Sequence, residues 1–459
     1  MKTKLEGMKL RIAPSHCMNT RRAVALATFA QCARAMSSSA LSGRGMKAAG
    51  YVGTASKSMA MRDEGRDLIT LAVAQNALMD DLLLPKVAQA AVRASARVRY
   101  APSWLGLPEL RAGVARLYSS HVLRDNLVTA DEVAITSSAT SAIDALLFAV
   151  LEKGDAVLTV APFYGSYTRD VEARAECVLV PVPGATDGVP TVESLEEHFQ
   201  WREPRPKALL VASPHNPCGS VLGAQTLRDM VSWTRLRNVQ LIVDEVFALS
   251  TFEPGAFTSV LDVLDAAEDN SHVHVVYSAS KDLALSGYRV GALITKNPAV
   301  LDSFKCLSIF CNAATLPQAV VAELLDDDAW LRDSWIPELR SRLKASWRHA
   351  KKHCDAHALR RLGSDPEAGH FCLLDLRGVA EGPALNAALE KAGVVLTPGP
   401  LMGAPHGIFR LCHAAEPDAR VAEAVARIAG VVNAAPPLPE PPAGNTPTCK
   451  APAPGCAQS

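Results

Sequence analysis

From about residue 100 to residue 300, short and continuous apolar runs alternate with longer stretches whose apolar residues recur at helical spacing. The runs include Val133-Ala-Ile-Thr136, Ala156-Val-Leu-Thr-Val160, Ala208-Leu-Leu-Val-Ala212, Leu241-Ile-Val-Asp244 and His274-Val-Val-Tyr277. Unbroken apolar runs of this length, bounded by turn residues, describe strands buried on both faces. Interleaved with helices, they predict an α/β fold with a largely parallel sheet and helices on both sides. Gly106-x-Pro108-x-Leu-Arg opens one such helix, with proline near the first turn, where its missing N–H costs least. Later, Arg340 to His353 predicts a long polar helix leading into a smaller lobe. Gly369–Leu376, Gly393–Gly399 and Gly407–Ala414 are read as strands of that lobe.

Composition narrows the function classes. In 459 residues, 47 Lys and Arg balance 47 Asp and Glu, so no charge excess marks a nucleic-acid or membrane-surface partner. No apolar run approaches the roughly 18 residues of a spanning helix. The 11 cysteines are scattered and form no Cys-x-x-Cys pair, which fits reduced thiols rather than a disulfide framework. No metal-ligand cluster is visible, and His349 and His353, one turn apart on a basic helix, read as solvated. Residues 7 to 62 contain no acid, and Arg21-Arg22 precede a short apolar run and a serine triplet. That composition describes either a disordered extension of a cytoplasmic protein or, alternatively, a mitochondrial-type transit peptide. The stretch from about Asn433 is Pro-, Ala- and Gly-rich and is expected to be disordered.

The stretch Ser278-Ala-Ser-Lys281 with Arg289 eight residues on carries the chemistry. A lysine after a buried strand can form a Schiff base with an aldehyde. A serine hydroxyl and a guanidinium fork can hold a phosphate. Pyridoxal 5'-phosphate (PLP) carries both groups. Other strand ends add candidates. Ser138-Ala139-Thr140 follows a strand and opens a helix, where backbone N–H groups favour an anion, although a plain N-cap looks the same. Asp244 ends a buried strand. Asn216-Pro-Cys-Gly219 ends another, as a turn.

Ser-x-Ser-Lys281-x5-Gly-x-Arg289-Val-Gly resembles the PLP-lysine signature of the class I/II aminotransferases. The nearest likeness is to the branch that includes 1-aminocyclopropane-1-carboxylate (ACC) synthases and ACC-synthase-like enzymes, over roughly Leu41 to Gly430. The resemblance implies the aspartate-aminotransferase fold (PLP fold type I) and a homodimer with shared sites. It also implies an extension over 1–40, an N-terminal segment of the small lobe over 41–85, a large PLP-binding domain over 86–325, a C-terminal small domain over 326–432 and a tail over 433–459. Residue by residue, it implies that Lys281 holds the cofactor and then serves as general base. Ser138, Ala139, Thr140, Ser278 and Arg289 hold the phosphate. Tyr164 stacks on the ring, Asn216 donates to the phenolate oxygen, and Asp244 pairs with the pyridine nitrogen. Arg410, in Gly407-Ile-Phe-Arg410-Leu-Cys-His-Ala, binds the substrate α-carboxylate.

Three positions depart from the ACC-synthase pattern. Gln75, beside Asn76 in a loop that lines the substrate pocket, replaces an acid. Trp104 stands where a tyrosine reaches across the dimer to the partner's phosphate. Phe247 replaces a tyrosine that also bonds the phenolate oxygen. The expected activity is therefore a PLP-dependent aminotransferase acting on an α-amino acid through a Schiff base and a quinonoid. A C–S β-elimination lyase is the alternative and ACC synthase the least favoured reading. A non-catalytic scaffold is disfavoured, since a scaffold needs neither the base nor the electron sink.

Overall fold

The structure, a computed structural model, describes residues 41–51, 67–184, 187–380 and 382–434. The extension over 1–40 and all but the first two residues of the proline-rich tail lie outside the described residues. Residues before the break at 52 form a unit of their own, with one helix, Gly43–Gly50, whose N-cap Ser42 Oγ accepts from Gly45 N at 3.2 Å.

Past the break, the chain starts with β1 (Ile69–Thr70) and then lays down seven strands of one sheet. These are β2 (Val133–Thr136), β3 (Ala156–Ala161), β4 (Val178–Pro183), β5 (Ala208–Ala212), β6 (Gln240–Asp244), β7 (Val273–Ser278) and β8 (Gly291–Thr295). Their spatial order is β2-β8-β7-β6-β5-β3-β4. All run parallel except β8, which is antiparallel to both of its neighbours. Every residue of β2, β5, β7 and β8 is buried, so the unbroken apolar runs have the two-sided burial they predict. Side chains alternate between two cores, as the strand period requires. On β6, Leu241 and Val243 join one core and Ile242 the other; on β5, Leu209 and Val211 oppose Leu210.

Helices on the sheet start where the sequence signals them. Pro108 occupies the first turn of Pro108–Leu117. Asn297 caps Pro298–Cys311 by accepting from Ala299 N and Val300 N. Helix Ala224–Arg237 stops at Asn238, whose φ of 54° is the left-handed conformation that asparagine tolerates.

A long helix, Ile336–Ala356, begins four residues earlier than its polar pattern suggests, because Pro337 fits its first turn. It leads to β9 (Arg361–Leu362), β10 (Phe371–Asp375), β11 (Val394–Val395), β12 (Thr397–Pro398) and β13 (Ile408–Cys412). Four of these form an antiparallel sheet in the order β12-β13-β10-β9. The single strand expected over Gly393–Gly399 is divided. Val394–Val395 pairs in parallel with β1, more than 300 residues earlier in the chain, while Thr397 turns to pair with Arg410 on β13. The final helix, Asp418–Ala434, extends two residues into the expected tail. Among the described residues, no single helix is long and apolar enough to cross a membrane.

Two close approaches fix the carboxyl ends of the strands. A Cβ on Gly291 would lie 2.4 Å from the carbonyl carbon of Ser138, so only glycine lets β8 lie against the turn after β2. Glu245, immediately after β6, is fully buried. Ser259 Oγ lies 2.9 Å from both carboxyl oxygens, and Val260 N donates to one of them at 2.9 Å. Burial nevertheless pushes this carboxyl up to about 8, from 4.5. Between those values the folded chain holds a proton that the unfolded chain has released, so this group's contribution to stability falls as pH rises and is constant above the window. Glu245→Gln should therefore gain on the wild type as urea denaturation moves from pH 5.5 to pH 9. A difference that does not change with pH would refute the burial argument.

Candidate active site

Lys281 sits on a turn built at the end of β7. Ser278, the last residue of that strand, caps the short helix Ala279–Asp282: its Oγ accepts from Ser280 N at 3.2 Å and donates to Val290 O at 2.9 Å. The Lys281 Nζ donates to the carbonyl of Ala74. Burial pushes the amine down to about 8, and the charges of Arg410 and Arg289 push the same way, while Asp244 opposes.

One strand over, Asp244 ends β6 and is 5 % exposed. Its Oδ1 accepts from Val246 N at 3.3 Å and its Oδ2 from the Tyr167 hydroxyl at 2.9 Å. Burial raises this carboxyl to about 6 against the lowering effect of the Tyr167 bond.

On the other side, the turn after β2 gathers hydroxyls at the N-terminus of helix Ala139–Val150. Ser138 Oγ accepts from Ser141 N at 3.1 Å, so it is an N-cap, and Ser137 Oγ lies 2.6 Å from Ser141 Oγ. Thr140 Oγ1 donates to Asp170 at 3.1 Å, and Asp170 is paired with Arg169 at 2.8 Å. Arg289, in the left-handed conformation with φ of 54°, faces the same region. It donates to Ser286 O at 2.9 Å and pairs with no carboxylate among the described residues.

These turns and strand ends border one cleft of about 670 Å³ including its open mouth, the size of a small-molecule site. Ser138, Ala139, Thr140, Tyr164, Asn216, Asp244, Ser278, Lys281 and Arg289 come together there. Arg410, on β13 and 5 % exposed, joins through Asn216, whose Oδ1 accepts from it at 2.9 Å. Arg410 also donates to Ala72 O at 2.6 Å and lies 5.0 Å over the Phe371 ring. Its Nε has no partner, and among the described residues no acid pairs with it.

The loop over 72–76 crosses the site. Ala72 and Ala74 give their carbonyls to Arg410 and Lys281, Gln75 is exposed, and Asn76 is buried with its Oδ1 accepting from Leu78 N at 3.0 Å. Within one chain Trp104 is not on this cleft. It is 56 % exposed and lines a separate groove with Tyr100 and Ile309. The sequence reading passed over Tyr167 and Asp170, which follow Tyr164 at intervals of three. That spacing puts all three on one side of a helical turn, and it was the available signal.

The arrangement fits pyridoxal phosphate. A capped helix N-terminus, serine hydroxyls and an unpaired guanidinium gather over β2, β8 and β7, where a phosphate belongs. A buried carboxylate without a cation, over β6, is where a protonated ring nitrogen belongs. The lysine lies between them in the chain's register.

The family described as "Aminotransferase class I and II" matches residues 66–428. A 1-aminocyclopropane-1-carboxylate synthase of Nicotiana tabacum is 30 % identical over 347 residues, covering 71 % of this chain and 69 % of that protein. An Arabidopsis thaliana protein of the same name, number 6, is 32 % identical over 317 residues, covering 67 % and 63 %. Among solved structures, a Thermus thermophilus aspartate aminotransferase tetra mutant complexed with tryptophan is 25 % identical and superposes with a TM-score of 0.74, covering 85 % of this chain and 99 % of that one. A Thermotoga maritima aspartate aminotransferase, 24 % identical with a TM-score of 0.73, shares the fold over 86 % of this chain and 100 % of its own. Since the family match spans both the seven-stranded sheet and the β10–β13 lobe that delivers Arg410, the chain belongs to the class I and II aminotransferases and is a pyridoxal-phosphate-dependent enzyme of that fold.

Proposed function

We propose that the protein transfers the amino group of an α-amino acid. The observation that carries this reading is the convergence of Lys281 and Asp244 on one cleft, with Arg410, unpaired with any acid among the described residues, bonded to Asn216 in its wall. Bound there, the cofactor supplies an electron sink for charge developing at the substrate α-carbon. The protein's own groups do the rest. Ser138, Thr140, Ser278 and Arg289 hold the phosphate, and Tyr164 covers the ring. Arg410 clamps the α-carboxylate, with its unpartnered Nε–H free for one arm of a bidentate fork. Its bond to Asn216 Oδ1 turns the amide so that Nδ2 is the outward donor, the orientation needed for a phenolate oxygen. Phe247 adds no second donor, so Asn216 carries that contact without the help of a phenol. Lys281, with its amine depressed toward neutrality, suits the removal of the α-proton.

A second reading is elimination. The curated relatives are named for closing a cyclopropane ring rather than for passing on an amino group. Gln75 and Phe247 both depart from that pattern, which keeps transamination first. A homodimer also belongs to the reading. Tyr100, Trp104, Ile309 and Leu316 are exposed around one groove, a larger apolar surface than scattered single residues would make, and a second copy is the proposed cover. Sedimentation should show a dimer that Ile309→Glu turns into a monomer; a wild-type monomer would refute this part.

Two further measurements test the chemistry. Only the free amine of Lys281 attacks an aldehyde, so capture of pyridoxal phosphate by the apo-protein should speed up through about pH 8 and then level off. An exposed lysine keeps gaining to about pH 10, so a profile still climbing there would contradict the buried-amine argument. The reaction type is read by mixing holoenzyme with amino acids and S-conjugated cysteines without any keto-acid acceptor. Transamination predicts one equivalent of reaction per site, with loss of the cofactor's aldehyde absorption and no accumulation of ammonia. Ammonia and pyruvate building up over many turnovers would instead establish elimination.

A further inference from the structure

Asp244 is a buried carboxylate that no basic side chain pairs with among the described residues. Among the described residues, its side chain is met by one backbone N–H, that of Val246, and by one side chain, Tyr167. Tyr167 is 1 % exposed and belongs to the short helix Tyr167–Glu172 on the neighbouring face of the sheet. Its N–H donates to Tyr164 O at 2.9 Å, and its ring stands at 89° to the Tyr164 ring, with centroids 5.4 Å apart. The ring therefore cannot swing without displacing Tyr164, which lines the cleft. Burial and the facing carboxylate push the phenol far above its usual range, so the hydroxyl keeps its proton and is the donor. The other charges that reach Asp244 pull in opposite directions: Asp170, on the Tyr167 helix, disfavours its ionised form, and Lys281, from the turn after β7, favours it.

We propose that Tyr167 is a positioning residue for Asp244, its phenol holding the carboxylate ionised and aimed so that it meets the ring nitrogen of bound pyridoxal phosphate. This rests on the role given to Asp244 above. A hydrogen bond to a charged, buried acceptor is among the stronger side-chain interactions, and here it is the acceptor's one side-chain contact. Tyr167 thereby ties two sides of the cofactor site together, since its ring braces Tyr164 and its hydroxyl anchors Asp244.

Cofactor binding tests this without any measurement of turnover. Apo-protein is titrated with pyridoxal phosphate and with its 1-deaza analogue, in which C–H replaces the ring nitrogen. Tyr167→Phe keeps the aromatic ring and loses only the hydroxyl. Wild type should prefer pyridoxal phosphate over the analogue. The variant should lose about tenfold in affinity for pyridoxal phosphate and keep its affinity for the analogue. On an Asp244→Asn background, the same tyrosine change should leave pyridoxal phosphate affinity unaltered. If wild type discriminates but the variant weakens both ligands equally, or neither, or costs as much on the Asp244→Asn background, the inference on Tyr167 fails alone. If wild type binds the two ligands equally, the role of Asp244 fails and takes this inference with it.

Discussion

The site depends on charges that the protein buries and leaves unpaired. Among the described residues, no acid pairs with Arg410 and no cation pairs with Asp244, and Lys281 is pushed toward its neutral form. An ion held in this way without its partner costs on the order of several kcal/mol, so it persists only where the scaffold gives it no way out. Each is held by neutral donors or acceptors. Tyr167 and Val246 N donate to Asp244, while the carbonyls of Ala72 and Ala74 accept from Arg410 and Lys281. Dipoles replace counter-ions, and each charge stays available to a ligand that brings the opposite one.

The two sheets divide this work. The seven-stranded sheet carries Asp244, Lys281 and the hydroxyl-rich turn on adjacent strand ends, where pairing register fixes their separation. Ser278 and Thr136 both pair with Gly291, and Asp244 pairs with Val276, two residues before Ser278. The antiparallel sheet carries Arg410, which reaches the cleft through its bond to Asn216. The loop over 72–76 is the seam between the two, since it follows β1, which pairs with β11, and it touches both cationic groups. On the proposed reading, substrate carboxylate and cofactor would meet groups from separate sheets, and small movements of one sheet against the other would change their spacing without disturbing either core.

Much of this was legible in the sequence for a physical reason. A strand buried on both faces must be apolar throughout, so β2, β3, β5, β6 and β7 stand out as runs. A polar residue at the end of such a run, such as Asp244 or Ser278, is conspicuous. Serine before a helical pattern marks a cap, as Ser138 proves to be. What stayed hidden depends on distant pairing. Val394–Val395 and Thr397–Pro398 look like one strand until β1 and β13 claim different parts of it. Tyr167 reads as an ordinary aromatic, since nothing local tells that its hydroxyl reaches residue 244 on another strand. Trp104 is recognisable by its place in the motif, yet its exposure in one chain says that its contacts, whatever they are, do not come from this cleft.

The departures from the ACC-synthase pattern spare the groups that the proposed reaction would use on every substrate. Lys281, Asp244, Asn216 and Arg410 are intact, and in the proposed reaction each would act on atoms that every α-amino acid and the cofactor share. Gln75 and Phe247 differ, and both changes remove a polar group, a carboxylate in one case and a phenol hydroxyl in the other. Gln75 is exposed on the loop whose Ala72 and Ala74 carbonyls accept from Arg410 and Lys281, so a neutral side chain there brings no negative charge to that loop. On the proposed reading, removing the phenol would leave Asn216 as the donor to the cofactor oxygen, and that oxygen's basicity would depend more on a residue already bonded to Arg410. Binding of the α-carboxylate and the electronics of the cofactor would thereby be coupled through one amide, where a second donor would have buffered them.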